Sequence, residues 1–258
     1  MGASAHAASQ YLRTMQHAAA PNLNVLITGA SRGIGFEVAR RFAALGNHNI
    51  VAVARTVDGL RQLKNAAIKE NVQAHLYPVP FDLSSPEPYE QVLLPLIAGH
   101  VENIDIVINN AGYLVHRPFE ELAETEMVEM MQVNFLAAAR LTRAVLPLMR
   151  QRGGHVLNVS SMGGFQGSQK FGGLAMYSAA KAALVALTEC LAEEYKGQGI
   201  AFNCLALGSV DTEMFRRAFP GMEPQHPSAD MAQFIADFAI GGPRFFNGKV
   251  LPVSIGTP

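Results

Sequence analysis

Tyr177 and Lys181, in the run Tyr177-Ser178-Ala179-Ala180-Lys181, are the first pair in the chain whose types and spacing bear chemistry. Side chains four residues apart share one face of a helix. A tyrosine hydroxyl exchanges protons poorly near neutral pH, because its reference pKa is about 10. A nearby ammonium favours the phenolate and lowers that value. Such a pair is suited to proton transfer with an oxygen whose charge changes during a reaction. In isolation it is also a common pair on a helix surface. A hydroxyl is available upstream in Asn158-Val159-Ser160-Ser161, where Ser161 would hydrogen-bond the same oxygen. Ser160 is its competitor, and strand alternation points the two side chains oppositely.

A second constellation lies near the start. Thr28-Gly29-Ala30-Ser31-Arg32-Gly33-Ile34-Gly35 places three glycines between a strand pattern and a helix pattern. Glycines there let the backbone turn tightly and approach a pyrophosphate, and a helix N-terminus offers it free N–H groups and a favourable dipole. The end of the next strand selects the nucleotide. An acid there would hold the ribose of NAD, but the strand ends Ala54-Arg55. Arg32 and Arg55 together would bind a 2′-phosphate with charge-assisted hydrogen bonds, which favours NADP(H). Two ordinary surface arginines are the plain alternative. Asp58 lies beyond the strand and reads as a helix N-cap.

These residues need a scaffold. Short apolar strands are expected at 24–28, 50–54, 74–79, 105–109, 155–159, 200–206 and 249–253. Helical spacing fills 33–45, 58–70, 86–99, 124–152 and 174–195, with a kink expected at Pro147. Nearly all-apolar strands alternating with helices imply an α/β fold: a doubly wound, Rossmann-type parallel sheet of about seven strands with helices on both faces. No internal repeat or linker divides it. Residues 23–258 read as one domain, and residues 1–22, rich in alanine, as an N-terminal extension outside it.

Composition narrows the function classes. The 258 residues are 49% hydrophobic, and 20 basic against 21 acidic residues give a net charge of −1. No basic excess points to nucleic acid or an anionic membrane. No apolar run looks long enough to span a bilayer, and residues 1–22 lack the apolar stretch of a secretory signal. Cys190 and Cys204 sit in apolar surroundings and read as buried thiols of a reducing, cytoplasmic compartment. The eight histidines are scattered, so no metal site is expected.

Taken in order, the motifs TGASRGIG (28–35), Asn109-Asn110-Ala111-Gly112, Asn158-Val159-Ser160-Ser161 and Tyr177…Lys181 resemble those of the short-chain dehydrogenase/reductase family, over roughly residues 24–253. The resemblance implies an oxidoreductase that moves a hydride between NADP(H) and a carbonyl or secondary alcohol. It implies cofactor contacts from Gly29, Ser31, Arg32, Gly33, Ile34, Gly35, Arg55, Asn110, Ala111, Gly112, Tyr177, Lys181, Gly208, Val210 and Thr212. Asp82-Leu83 resembles the pair that holds the adenine. The implied catalytic set is Asn134, Ser161, Tyr177 and Lys181, with Asn134 holding a water that links Lys181 to solvent. A small-molecule substrate and a homodimer or homotetramer are also implied.

The sequence departs from the family pattern in places. The interval from Ser161 to Tyr177 is a few residues longer than usual, and the loop within it is expected beside the substrate. Leu207-Gly208 stands where the family has Pro-Gly. Phe165, Phe171, Met176, Met214 and Phe215 are candidates for an apolar substrate wall. The alternatives are an NAD-dependent alcohol dehydrogenase and a non-catalytic NADP(H)-binding sensor, the latter disfavoured because a sensor needs no proton donor.

Overall fold

A computed structural model describes residues 22–255; the segment 1–21 and the last three residues lie outside it, and with them nearly all of the expected extension. In chain order the elements are β1 (Asn24–Thr28), α1 (Gly33–Leu45), β2 (Asn49–Ala54), α2 (Val57–Glu70), β3 (His75–Pro80), α3 (Leu93–Ala98) and β4 (Ile106–Asn109). There follow α4 (Glu124–Met131), a π-helical turn (Gln132–Leu136), α5 (Ala137–Met149), β5 (Gly154–Ser161), α6 (Ala175–Glu194), β6 (Ile200–Leu207) and β7 (Val210–Asp211). The series ends with α7 (Glu213–Ala218), β8 (His226–Pro227), α8 (Ser228–Gly241) and β9 (Lys249–Val253).

Seven strands form one parallel sheet in the order β3-β2-β1-β4-β5-β6-β9, and β7 pairs with β8 separately. Strand alternation divides the core into two layers. Val25, Ile27, Ile106 and Ile108 face α1, α2 and α8, packing with Phe42, Leu63 and Ile235. Leu26, Val107 and Val156 face α3, α5 and α6, packing with Ile97, Leu141 and Val145. The doubly wound fold read from the sequence is therefore borne out.

The order reverses between β1 and β4. After β3 the chain crosses back, so the loops leaving the C-terminal ends of β1 and β4 diverge and open a crevice. Helix α1 starts at that crevice. Arg32, its N-cap, makes no side-chain cap, and its first turn holds no acid. Burial of Val38, Ala39 and Phe42 holds this helix instead, at roughly 1.5–3 kcal/mol for a side chain the size of Phe42. The helix start is thus left open for an anion.

Several local readings are corrected. The helix expected over 124–152 is interrupted at the π turn, and Pro147 lies inside the last turn of α5. Of 86–99, only Leu93–Ala98 is helical, because Pro86 and Pro88 begin the segment with fixed φ. Thr56, not Asp58, occupies the N-cap of α2; Asp58 pairs with Arg61 one turn on. Cys190 is exposed, whereas Cys204 is buried. Helix α8 was missed, although Met231, Ala232, Ile235, Ala236 and Ala239 carry helical spacing and are buried. Helix α6 is, by length and composition, long and apolar enough to cross a membrane, contrary to the expectation of no such run. Here it is packed on β5 and β6 with Lys181, Leu184 and Thr188 buried.

Candidate active site

A cleft of about 760 Å³ opens along the C-terminal ends of the strands. Its floor is set by the end of β1. The Thr28 hydroxyl accepts from the N–H groups of Asn110 and Ala111 (3.0 and 3.1 Å), locking the loop after β4 to the glycine loop. Asn110 answers by donating its side-chain amide to the Thr28 carbonyl at 3.0 Å. Gly29 and Gly33 adopt φ of +66° and +58°, backbone that L-residues rarely take. A Cβ on Gly35 would lie 2.5 Å from the Gly29 carbonyl and collide with the Asn110 amide. The three glycines are therefore required by geometry. Gly33 and Ile34 line the cleft, and as first-turn residues their N–H groups have no helical carbonyl to bond. Such a helix start could hold a pyrophosphate.

The two guanidiniums expected to read a 2′-phosphate both line this end of the cleft. Each faces a carboxylate: Arg32 pairs with Glu213 at 2.8 Å, and Arg55 lies 3.8 Å from Asp82. Asp82 also accepts from the Ser84 N–H and hydroxyl (2.9 and 2.7 Å). Burial is the largest single influence and raises its carboxyl, but the two Ser84 hydrogen bonds and Arg55 together outweigh it and hold the carboxyl below the usual range. Thr212 caps α7 by accepting from Phe215 N–H at 3.1 Å. Its methyl approaches Gly33, so α7 closes over the glycine loop.

The reacting end is built by β5 and α6. Ser160 and Ser161 face opposite sides, as alternation requires. Ser160 donates to the Lys181 carbonyl at 3.0 Å and so ties α6 to the sheet. Ser161 lines the cleft, accepts from the Gly163 N–H at 3.2 Å and hydrogen-bonds Tyr177. Tyr177 keeps part of its surface open to the cleft, yet the protein packed around it pushes the phenol up to about 12, with Ser161 pulling back. Lys181 is buried, and burial brings its ammonium down to about 8. Its Nζ donates to the Val159 carbonyl at 2.8 Å and lies 5.9 Å from the centre of the Tyr177 ring. The expected lowering of the tyrosine by the lysine is thus not met in this arrangement, because the ammonium is turned to Val159.

Asn134 sits in the π turn, beneath the cleft rather than in its wall. It accepts from the Tyr113 N–H (3.1 Å) and donates to the Tyr113 carbonyl (2.7 Å) and the Met130 carbonyl (2.8 Å). Gly112 makes room for this: a Cβ there would lie 3.2 Å from Asn134 Oδ1 and 3.8 Å from Lys181 Nζ. Every other residue expected in the site, except Gly35, lines the cleft. Leu207, in the proline position, is buried in β6 opposite Val253, and Gly208 donates its N–H to the Val253 carbonyl at 2.9 Å.

Of the expected apolar wall, Phe171, Met214 and Phe215 line the cleft, while Phe165 and Met176 do not. Met176 precedes Tyr177 on α6, and adjacent helical residues face different directions. The long loop is pinned rather than loose. Lys170 donates to the Gly163 and Phe165 carbonyls (2.9 and 2.6 Å), and His116 lies 3.1 Å from the Gly172 carbonyl with its ring 5.0 Å from that of Phe219. Sequence reasoning missed Tyr113, Glu129 and His116, which carry no spacing signal. Thr28 was within reach as the first residue of the glycine motif.

Comparison with known proteins agrees with this arrangement. Residues 23–223 match the family model for short chain dehydrogenase. A fatty acyl-CoA reductase of Acinetobacter baylyi is 35% identical over 194 residues, 73% of this chain and 63% of that protein. The chain thus spans less than two thirds of the length of that relative. The 3-oxoacyl-acyl-carrier-protein reductase FabG of Escherichia coli is 30% identical over 90% of this chain and 95% of its own. A putative short chain dehydrogenase from Escherichia coli, complexed with NADPH, superposes with a TM-score of 0.81 at 30% identity, covering 89% of this chain and 95% of that one. The chain belongs to the short chain dehydrogenase family.

Proposed function

We propose that the protein transfers a hydride between NADP(H) and a carbonyl compound or secondary alcohol, with Tyr177 as general acid in reduction and general base in oxidation. The observation that carries this reading is the convergence of Ser161, Tyr177 and Lys181 on the cleft whose other end is the glycine loop. The residues there suit the nucleotide. The open start of α1 and the left-handed Gly29 and Gly33 admit a pyrophosphate, and Arg32 and Arg55 supply two cations for a 2′-phosphate. Arg32 would exchange Glu213 for that phosphate. The NADPH complex of the similar Escherichia coli protein supports the choice of nucleotide.

Bound in the cleft, NADP(H) would supply or receive the hydride at its nicotinamide. Ser161 would hydrogen-bond the substrate oxygen, and Tyr177 would hand it a proton. Burial keeps that proton on Tyr177 up to about pH 12, so the donor for reduction is in place at neutral pH. Reduction with NADPH is the direction we propose, its extent being set by the cofactor ratio and the substrate. Lys181 would meet the nicotinamide ribose. The Asn134 side chain is held by Tyr113 and Met130, and a water beside Asn134 would link Lys181 to solvent. We assign the working form to a homodimer or homotetramer in the cytoplasm, where Cys190 and Cys204 remain thiols.

The test is NADPH and NADH oxidation against a panel of ketones, diones and aldehydes, with Tyr177→Phe alongside. Turnover that prefers NADPH and falls by at least about a hundredfold in the variant is expected. Unimpaired turnover in Tyr177→Phe overturns the proton assignment. A preference for NADH overturns the role of the two arginines.

A further inference from the structure

The cleft is unevenly charged, and the imbalance bears on which carbonyl compounds enter it. Its cations among the described residues are Arg32, Arg55 and Lys181. The arginines stand at the glycine loop and the end of β2, and Lys181 is buried against Val159. The substrate end is walled by Leu114, Val133, Phe171, Leu174, Phe215 and Phe219. The ionisable groups set among these are carboxylates, Glu129 on α4 and Glu223 beyond α7.

Basic side chains around the mouth are already engaged. Arg117 pairs with Glu126 at 3.1 Å, Arg216 binds Asp211 through two contacts of 2.6 and 2.7 Å, and Arg217 pairs with Glu213 at 2.5 Å. Lys170 is turned onto loop carbonyls. Glu129 is half-buried and takes a hydrogen bond from Tyr113. Tyr113 is itself clamped by Asn134 at both its main-chain N–H and its carbonyl, which fixes the backbone that carries this neighbour of Glu129. A partly desolvated carboxylate repels an anion more strongly than a fully solvated one.

Resting on the carbonyl-reductase reading, we infer that the substrate is an uncharged apolar carbonyl compound, and that Glu129 excludes carbonyl compounds whose tails carry a carboxylate or phosphate. Glu129 is a specificity determinant on this account and takes no part in proton transfer. Thioesters of coenzyme A or of an acyl carrier reach an active site on a phosphate-bearing arm, and among the described residues this cleft places no free cation at the substrate end to receive one. The acyl-CoA and acyl-carrier chemistry in the names of two similar proteins is therefore not expected here.

Three ligands test this: a medium-chain methyl ketone and its ω-carboxylate and ω-trimethylammonium analogues. Their Kd values are read from the fluorescence of NADPH bound to Tyr177→Phe, which holds the unreacted complex, and kcat/KM is read in the wild type. The carboxylate is expected to bind about tenfold more weakly than the neutral ketone, with the cation penalised less. Glu129→Gln, in either background, is expected to shrink the anion-to-neutral ratio by at least about threefold. Raising salt from about 20 mM to about 500 mM should shrink it in the wild type and shrink it less in Glu129→Gln, a difference that a purely structural Glu129 would not give. Equal or tighter binding of the carboxylate overturns the inference. So does a ratio unmoved by Glu129→Gln, and so does a failure of the neutral ketone to bind. Selective binding in Tyr177→Phe without wild-type turnover overturns hydride transfer and leaves the selectivity standing.

Discussion

At the scale of single residues, the glycine motif and the reacting groups were legible for different reasons. The glycines are fixed by backbone geometry, which a sequence advertises directly. Gly29 needs a left-handed φ, and Gly35 needs the space filled by Asn110 and the Gly29 carbonyl. Gly35→Ala tests the second requirement. The added methyl forces the loop to shift, at a cost of about 1–3 kcal/mol, and the NADPH Kd is expected to rise at least about fivefold. Fluorescence titration measures it. An unchanged Kd would mean that the loop relaxes without disturbing the cradle. Tyr177, Lys181 and Ser161 were legible by type and spacing, but their charge states were not. Burial sets the phenol at about 12 and the ammonium at about 8, and burial is a property of the packed helix rather than of the motif. Glu129 was illegible for the same reason: only its neighbours Tyr113 and Val133 make an ordinary helix carboxylate part of a wall.

At the scale of elements, the strands were read nearly to the residue because β1, β2, β4, β5 and β6 are buried on both faces and so almost wholly apolar. Helix limits were less legible where prolines or a π turn intervened. Polar groups inside this sheet were also beyond reach. His155 in β5 is an instance. Its Nδ1 lies 2.9 Å from the Ala239 carbonyl in α8, and its Nε2 lies 3.1 Å from the Asn203 amide in β6. Nδ1 therefore carries the proton and Nε2 accepts, which is the neutral ring. Burial lowers its pKa to about 4. The unfolded chain binds this proton near pH 6.5 and the folded one near 4, so the stability contributed is full above about 6.5. It is lost as pH falls toward 4, by about 3 kcal/mol in all. Urea denaturation of the wild type and His155→Gln across that range checks it. The wild-type advantage over the variant should narrow by about that amount; a constant difference would mean that His155 is not the acid-sensitive tie between α8 and the sheet.

At the scale of the whole molecule, the telling feature is helix α6, the longest described element. It carries Tyr177 and Lys181 on its inner side, with Ala180, Leu184 and Thr188 buried beside them. The outer side is apolar along its N-terminal part: Ala179, Ala182 and Ala186 are exposed before the stripe reaches the exposed Glu189, and only 28% of the helix's most apolar stretch is buried within one chain. A lipid-crossing helix would carry the cost of the Lys181 ammonium and would leave the sheet uncovered. Small residues in a row instead allow a second helix to approach closely. A copy of the same helix, related by a two-fold axis, would cover the stripe with its own. That arrangement would also stiffen the element that positions the proposed proton donor, which would link assembly to catalysis. Light scattering of the wild type is expected to give twice or four times the mass of one chain. Ala186→Glu sets like charges against each other across the axis, and should shift the mass toward a single chain and lower thermal stability. If the wild type is a monomer at about 10 μM, the range where stable homodimers persist, the outer face of α6 needs another explanation. If Ala186→Glu keeps the assembled mass, the contact lies on a different surface.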